Sequence, residues 1–355
     1  MSSSSNTAPV ALGLIGAGLI GRRHAQMMAS EPSCSLAGIA DPSPAAESLA
    51  GELNVPWFAS HAALLDRKDL AGVVIASPTH LHVPIALDCV RRGISVLVEK
   101  PVAGSVSEGR TLATAAAAAG VDVAVGHHRR FSPAVGVARA LLRDGAIGRL
   151  IAVSGIWSLR KPDAYFAEAS WRSQSGGGPL LINLIHDVDL LRYCCGEVES
   201  VCAEINSIER GFAVEDSGAV TLRFASGALA TIAFSDAAPS PWNWEGSAGD
   251  TPFVPPTLEN CYRFLGSTGS LEFPQLAVWR HGEGREASWT EPLHKVPHEA
   301  SVGDALGDQL RSFCLVARGE SAPVCSAGDA LASLAVLEAA RESARVAKSV
   351  APAAI

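Results

Sequence analysis

The sequence predicts a two-domain α/β protein, with a doubly wound parallel sheet first and a mostly antiparallel sheet after it. Three observations carry this. At 355 residues the chain exceeds the ~250–300 at which single cores stop growing. Up to about residue 127, short apolar runs alternate with helical patterns, as in βαβ units. Beyond that point strand-like runs follow one another, separated by hairpin signals.

In the first third, "VALGLI" (10–15) reads as a buried strand, as do 36–40, 72–76, 95–99 and 121–126. Helices are expected near 19–29, 44–51, 81–92 and 106–119, the last stopped by Gly120. The second part should hold a helix near 133–143, a strand at 149–158 and one helix from about 180 to 194. Strands follow at 198–207, within 216–236 and 261–274, and at 275–281; helices near 302–318 and 327–347 close the chain. In this division 1–8 are a tail, 9–127 a dinucleotide-binding domain, and 128–355 a substrate-binding and oligomerisation domain.

Hydrophobic residues at 48% and charged residues at 18% are an ordinary globular balance. A formal net charge of −8 argues against nucleic-acid or anionic-membrane partners, which call for basic patches. No apolar run approaches the ~20 residues a membrane-spanning helix needs, and "MSSSSNTAP" lacks a signal-peptide pattern. The eight cysteines form no C-x-x-C pair, so reduced thiols in a cytoplasmic setting are expected. The histidines show no H-x-x-x-H or H-E-x-x-H spacing on a helix, so no metal is expected.

"LGLIGAGLIGRRHA" places Gly16, Gly18 and Gly21 as G-x-G-x-x-G between a strand and a helix. Gly16 permits the tight turn. Gly18 lets a pyrophosphate approach backbone N–H groups at the helix start, around Leu19 and Ile20, and Gly21 lets helix pack on strand. Twenty residues past Gly21, Asp41 stands where the ribose-binding acid belongs. A 2′-phosphate ~4 Å from that carboxylate would be repelled by roughly 1–4 kcal/mol, and "PSP" follows with no arginine to neutralise it. NAD is therefore expected over NADP. In "VVIASPTHLHVPIA", Ser77, Pro78 and Thr79 fall at the carboxyl end of a strand and His82 starts the next helix, and all four are expected to contact the cofactor. In "VLVEKPVAG", Glu99 and Lys100 end another strand, and Lys100 there points toward a nicotinamide.

A third stretch, "WRSQSGGGPLLINLIHDVDLLRY", sets Asn183, His186, Asp187 and Asp189 into an apolar helix behind three glycines. In the order G-x-G-x-x-G, Asp41, "SPTHLH", "EKP" and this stretch, the chain resembles the Gfo/Idh/MocA oxidoreductases over roughly 9–345. That family is named for glucose–fructose oxidoreductase, inositol dehydrogenase and a rhizopine-catabolism protein. The resemblance implies an N-terminal Rossmann domain and a C-terminal α/β domain with an open, mostly antiparallel sheet. It also implies a homodimer or homotetramer through that sheet, and NAD(P)-dependent oxidation of a sugar, polyol or related alcohol. The family's motif Lys falls on Lys100 and its motif His on His186. Trp171 and Arg172 match a motif often near the cofactor, and "HHRRFSP" matches the family's R-F-x-P at Arg130, Phe131 and Pro133. One position departs: many members carry a catalytic Asp four residues before the His, where this chain has Ile182, with Asn183 beside it.

Hydride transfer from a carbinol needs a base for the hydroxyl proton and a donor to orient the oxygen. Lys100 and His186 are the expected proton-transfer pair, with Asn183, His128 and Arg130 as substrate contacts. His127 is the alternative to His128. Asp187 and Asp189 read as structural or salt-bridged. Trp242 and Trp244 are expected to stack on a sugar ring or, more favoured, on a neighbouring subunit. Competing readings are a dehydrogenase of a ring diol from aromatic catabolism, an imine reductase, an enzyme using tightly held NAD for internal redox, and a non-catalytic NAD(H) sensor. Lys100 and His186 disfavour the sensor.

Overall fold

The computed structural model describes residues 8–355 apart from Pro252 and Glu286; the expected tail at 1–8 lies, except for Ala8, outside the described residues. The chain divides into two compact units, 1–128 with 306–331 and Ile355, and 129–305 with 332–354.

The first unit is built on six parallel strands: β1 (Val10–Ile15), β2 (Cys34–Ala40), β3 (Trp57–Phe58), β4 (Gly72–Ile75), β5 (Ser95–Val98) and β6 (Val123–Val125). Their order is β3-β2-β1-β4-β5-β6. The chain builds outward from β1 to β3 and restarts beside β1 at β4, so the switch point of the doubly wound sheet lies between β1 and β4. The strands are runs of Val, Ile and Leu because both faces are covered: Leu12, Leu14, Val73, Val74, Ile75, Val96 and Val98 are all buried. Helix Val106–Ala119 shows how local chemistry sets its ends. Ser105 Oγ accepts the Glu108 N–H at its start, and Gly120 ends it in the left-handed region at φ 63°.

The sequence expectation gave 128–355 wholly to a second domain, whereas 306–331 cluster with the first unit. The reason is an apolar helix face: Leu310, Phe313 and Cys314, from helix Ala305–Ala317, join the core formed by Val10, Leu12, Ile39 and Val74.

The second unit carries an eight-stranded sheet of β7 (Leu150–Ser158), β8 (Val198–Asn206), β9 (Ser217–Phe224), β10 (Leu229–Ser235), β11 (Tyr262–Gly266), β12 (Gly269–Phe273), β13 (Ala277–His281) and β14 (Leu293–Pro297). The order is β14-β13-β12-β11-β7-β10-β9-β8, antiparallel throughout except for the β7–β10 pair. Both expected hairpins form, β9–β10 and β11–β12. One sheet face is buried and rich in aromatic residues, with Trp157, Tyr262, Phe264 and Phe273 fully enclosed. Trp244 joins this core at 5.6 Å from the Phe273 ring, which overturns its expected role at a sugar or a subunit neighbour. Trp242 stays partly exposed.

The expected single helix from about 180 to 194 is broken. It runs as Pro179–Ile182 and Leu184–Cys195, with Asn183 at the joint (φ −109°, ψ −55°). Leu184, Leu190 and Leu191 anchor it in the core, as the pattern predicts. Gly178 lies in close approach to Glu215: a Cβ there would meet the carboxyl carbon at 2.6 Å and push that carboxylate aside. That carboxylate accepts the Leu180 N–H at 3.0 Å, at the positive end of the short helix. Gly177 and Gly178 are thus packed at the entry to the helix, whereas Gly176 turns at φ +90° in open space.

Candidate active site

In the first unit the carboxyl ends of β1, β2, β4 and β5 carry the predicted cofactor residues. Gly16 follows β1 at φ +93°, and a Cβ on it would lie 2.6 Å from the backbone of Ala76 and Ser77. A Cβ on Gly21 would collide with the Gly16 carbonyl oxygen. Gly18 is the opposite case, with nothing within 4 Å of the place a Cβ would take. It precedes helix Leu19–Ser30, whose start has no side-chain cap, so the first-turn N–H groups around Leu19 and Ile20 are available to an anion.

Asp41 follows β2. Its Oδ2 accepts the Ala17 N–H at 2.9 Å and its Oδ1 the Ser43 N–H at 2.8 Å. Burial works to raise its pKa, but the Ser43 and Ala17 hydrogen bonds outweigh it and hold the carboxyl below the usual range. The carboxylate keeps acceptor capacity for a ribose hydroxyl. Ser77, Pro78 and Thr79 turn β4 into helix Thr79–Arg91, and Ser77 Oγ is buried with no hydrogen-bond partner among the described residues. An open cradle at Gly18, an ionised Asp41 and a buried hydroxyl awaiting a partner fit NAD. The kcat/KM for NAD is expected to exceed that for NADP by about five-fold to several-hundred-fold, the range corresponding to ~1–4 kcal/mol of repulsion. Asp41→Ser should narrow the gap, and equal values in the unmodified protein would refute the assignment.

After β5, Glu99 is buried and takes His24 Nε2 on Oε1 at 2.8 Å and the Lys100 backbone N–H on Oε2 at 3.2 Å. Burial opposes its ionisation, but His24, Lys100 and His128 overcome this and hold its pKa at about 2. Glu99 therefore anchors the backbone at Lys100 as a carboxylate, and Lys100 itself is half-buried.

His82 has a different task from the cofactor contact expected of it. Its Nδ1 lies 2.9 Å from the Pro101 carbonyl oxygen and its Nε2 2.8 Å from that of Ser77. Burial holds its pKa below the usual imidazole value, with the two carbonyls opposing. Both ring nitrogens face protein carbonyls, so His82 ties the loop after β4 to the loop after β5. His127 and His128 follow β6, His127 buried and His128 half-buried.

In the second unit, His186 is buried in the first turn of helix Leu184–Cys195, its N–H donating to the Asn183 carbonyl at 3.0 Å. Asn183 Oδ1 accepts a hydrogen bond from Lys161 Nζ at 2.7 Å. Lys161 was not among the sequence-predicted residues. It lies 22 positions away in "SLRKPD", just past β7, and only its place between a strand end and a proline singles it out. It is buried, 3.4 Å from Asp236 Oδ2, and burial lowers its pKa against the pull of Asp236.

Arg130 lies in a buried ion pair. Its Nε and Nη2 donate to the two Asp189 oxygens at 2.8 and 2.7 Å, and its guanidinium lies 4.8 Å from the Tyr193 ring centre. Its Nε and Nη2 are thus committed to a buried carboxylate, a structural pairing the sequence reading did not foresee. Asp187 and Asp189 are salt-bridged, as expected: Asp187 meets Arg129 Nη1 at 3.1 Å and accepts the Tyr262 hydroxyl. Arg172 donates to the Tyr165 carbonyl and to Glu168, stacking 3.9 Å from the Tyr165 ring centre, with its buried Nε unpartnered among the described residues. Trp171 beside it is exposed.

The parallel sheet, its glycine turn, Asp41 and Ser77 define a dinucleotide-binding protein of the hydride-transfer class. Residues 10–127 match the model of the oxidoreductase family with an NAD-binding Rossmann fold, and residues 135–272 match the Gfo/Idh/MocA C-terminal domain. The chain belongs to the Gfo/Idh/MocA family and is an NAD-binding oxidoreductase. It is 29% identical over 335 residues to the rhizopine catabolism protein MocA of Rhizobium meliloti, covering 93% of this chain and 94% of that one. It is 30% identical to an inositol 2-dehydrogenase of Rhizobium meliloti, over 64% of this chain and 68% of the relative. Among solved structures, the WlbA dehydrogenase from Bordetella pertussis, in complex with NADH and UDP-GlcNAcA, superposes with a TM-score of 0.79. It is 25% identical, with 98% of this chain and 99% of that one covered. No helix among the described residues is long and apolar enough to cross a membrane.

Proposed function

We propose that this protein is an NAD-dependent dehydrogenase of a sugar, cyclitol or related polyhydroxy alcohol, with Lys100 and His186 moving the hydroxyl proton. The observation that carries the reading is Lys100 at the carboxyl end of β5, next in the sheet to the strand that delivers Ser77 to the cofactor turn. Glu99 supports it by holding the Lys100 backbone in place. The relatives named for inositol and rhizopine support the substrate class.

NAD, when bound by the Gly16–Gly21 turn, Asp41 and Ser77, supplies the hydride acceptor. Lys100 Nζ orients the alcohol oxygen and takes its proton. His186 accepts or relays that proton, an imidazole being able to exchange one near neutrality. Asn183 holds a substrate oxygen and cannot titrate. Trp171 and Arg172 border the cofactor in this reading, and His128 touches the substrate. Screening sugars, polyols and hydroxy acids for NADH formation at 340 nm is expected to find one class turned over. Firm NAD binding with no turnover of any of them would favour a sensor instead.

The second unit also supports self-association. Leu229, Ala152 and Leu265 stand in register across β10, β7 and β11, on the sheet face opposite the aromatic core. An apolar row on an uncovered sheet face suits a second copy of the chain, and the solution mass should be that of a dimer or tetramer.

A further inference from the structure

We infer that Lys161 fixes the polarity of Asn183, so that this residue presents its amide N–H, and not its amide oxygen, to an oxygen of the substrate. The inference rests on the proposal that Asn183 faces the substrate.

Local helix chemistry does not account for what Asn183 does. An asparagine at the residue before a helix normally turns its side-chain oxygen onto the N–H groups of the first turn. Asn183 occupies that position for Leu184–Cys195, but its backbone is helical (φ −109°, ψ −55°) where a capping residue is extended, and it makes no such bond. Its Oδ1 is drawn instead to Lys161 Nζ, 2.7 Å away. An ammonium group has three donors and no acceptor, so only the oxygen end of the amide can face it. The choice between the two ends of an asparagine amide is therefore forced by chemistry. Nδ2 must point away from Lys161, carrying its two protons with it.

The ammonium is itself firmly held. Lys161 is 8% exposed and lies 5.2 Å from the Tyr165 ring centre and 5.8 Å from that of Trp157. Asp236 is its counter-ion at 3.4 Å, but the same carboxylate takes Arg210 Nε at 2.9 Å. Arg210 also donates to the Lys161 carbonyl at 2.8 Å. Arg210 has Asp163 as a second carboxylate partner at 3.5 Å, and the ammonium held directly against Oδ1 polarises the amide and strengthens Nδ2 as a donor. The carboxylate that many family members carry one residue earlier would accept protons from substrate hydroxyls. Asn183 with Lys161 behind it does the reverse. It selects an electron-rich oxygen, such as a ring ether, a carbonyl or a carboxylate, and does not require that oxygen to carry a proton.

Lys161→Met keeps the stem and leaves Arg210 to neutralise Asp236; Lys161→Arg restores a cationic donor. With the alcohol found in the screen, Lys161→Met should raise KM about ten-fold, the effect of losing one oriented hydrogen bond, and kcat should fall far less. Lys161→Arg should recover most of the loss in KM. An unchanged KM in Lys161→Met, or equal impairment of both variants, overturns the inference. A second measurement needs no turnover. The side-chain amide signals of Asn183 in protein labelled with ¹⁵N-asparagine, assigned by their loss in Asn183→Ala, should move in Lys161→Met and stay close to their original position in Lys161→Arg. Unmoved signals in Lys161→Met overturn the inference whatever the kinetics. If no alcohol is oxidised but the signals move, the fixed amide stands while the dehydrogenase reading and the substrate preference built on it fall.

Discussion

Lys100→Ala should lower kcat by about 10²–10⁴-fold, the usual contribution of a positioned proton-transfer group, while the Kd for NAD changes little. The separation is expected because the groups fitted to the dinucleotide are other ones: the uncapped helix start at Leu19, the Asp41 carboxylate and the Ser77 hydroxyl. Removing the Lys100 side chain leaves its backbone N–H on Glu99, so the loop keeps its anchor. Steady-state rates together with NAD titration by fluorescence check both halves, and normal turnover in this variant would sink the assignment. His186→Asn is the companion experiment. A histidine that accepts a proton must be neutral, so its limb of the pH–rate profile rises with pH across the range of about 5–8 where imidazoles titrate. The substitution should flatten that limb. An unchanged profile would remove His186 from proton transfer.

Arg130→Ala should act on stability and leave chemistry in the surviving folded protein nearly intact. Its partner Asp189 is 1% exposed and would lose both charged hydrogen bonds, keeping the Ser333 hydroxyl at 3.0 Å. Removing one member of a buried ion pair costs about 3–5 kcal/mol. At about 2–4 °C per kcal/mol for a unit of this size, the calorimetric midpoint of the second unit should fall by roughly 6–20 °C. Pairing Arg130→Met with Asp189→Leu should recover much of the loss, because apolar side chains can replace a buried pair at little cost. Were Arg130 a substrate contact, the midpoint would hold and KM would rise instead.

These two residues show where the sequence was legible. The strand-end position of Lys100 was legible because its context is local: a buried strand, then Glu-Lys-Pro, with the sheet order implied by the βαβ rhythm. The pairing of Arg130 was not legible because nothing within several residues of it reveals a carboxylate 59 positions further on. His82 was placed at the cofactor by its neighbours "SPTHLH", yet its ring is turned between two carbonyls, one of them 19 residues away. Trp244 looked like a surface aromatic in a proline- and glycine-rich loop. Burial against Phe273 and the bond from its Nε1 to Asp250 made it part of the core.

By itself the sequence determined the parallel sheet and its glycine turn, the acid at Asp41, the cationic strand end at Lys100 and the family to which they belong. All are properties of spacing along a short stretch, where backbone geometry maps residue number directly onto position. Only the tertiary structure decided that 306–331 pack with the first unit, that the helix breaks at Asn183, and that Lys161 takes its amide oxygen. Those outcomes depend on which polar groups must find a partner once water is excluded, and on which apolar faces are left to cover. Both conditions exist only after distant segments have met.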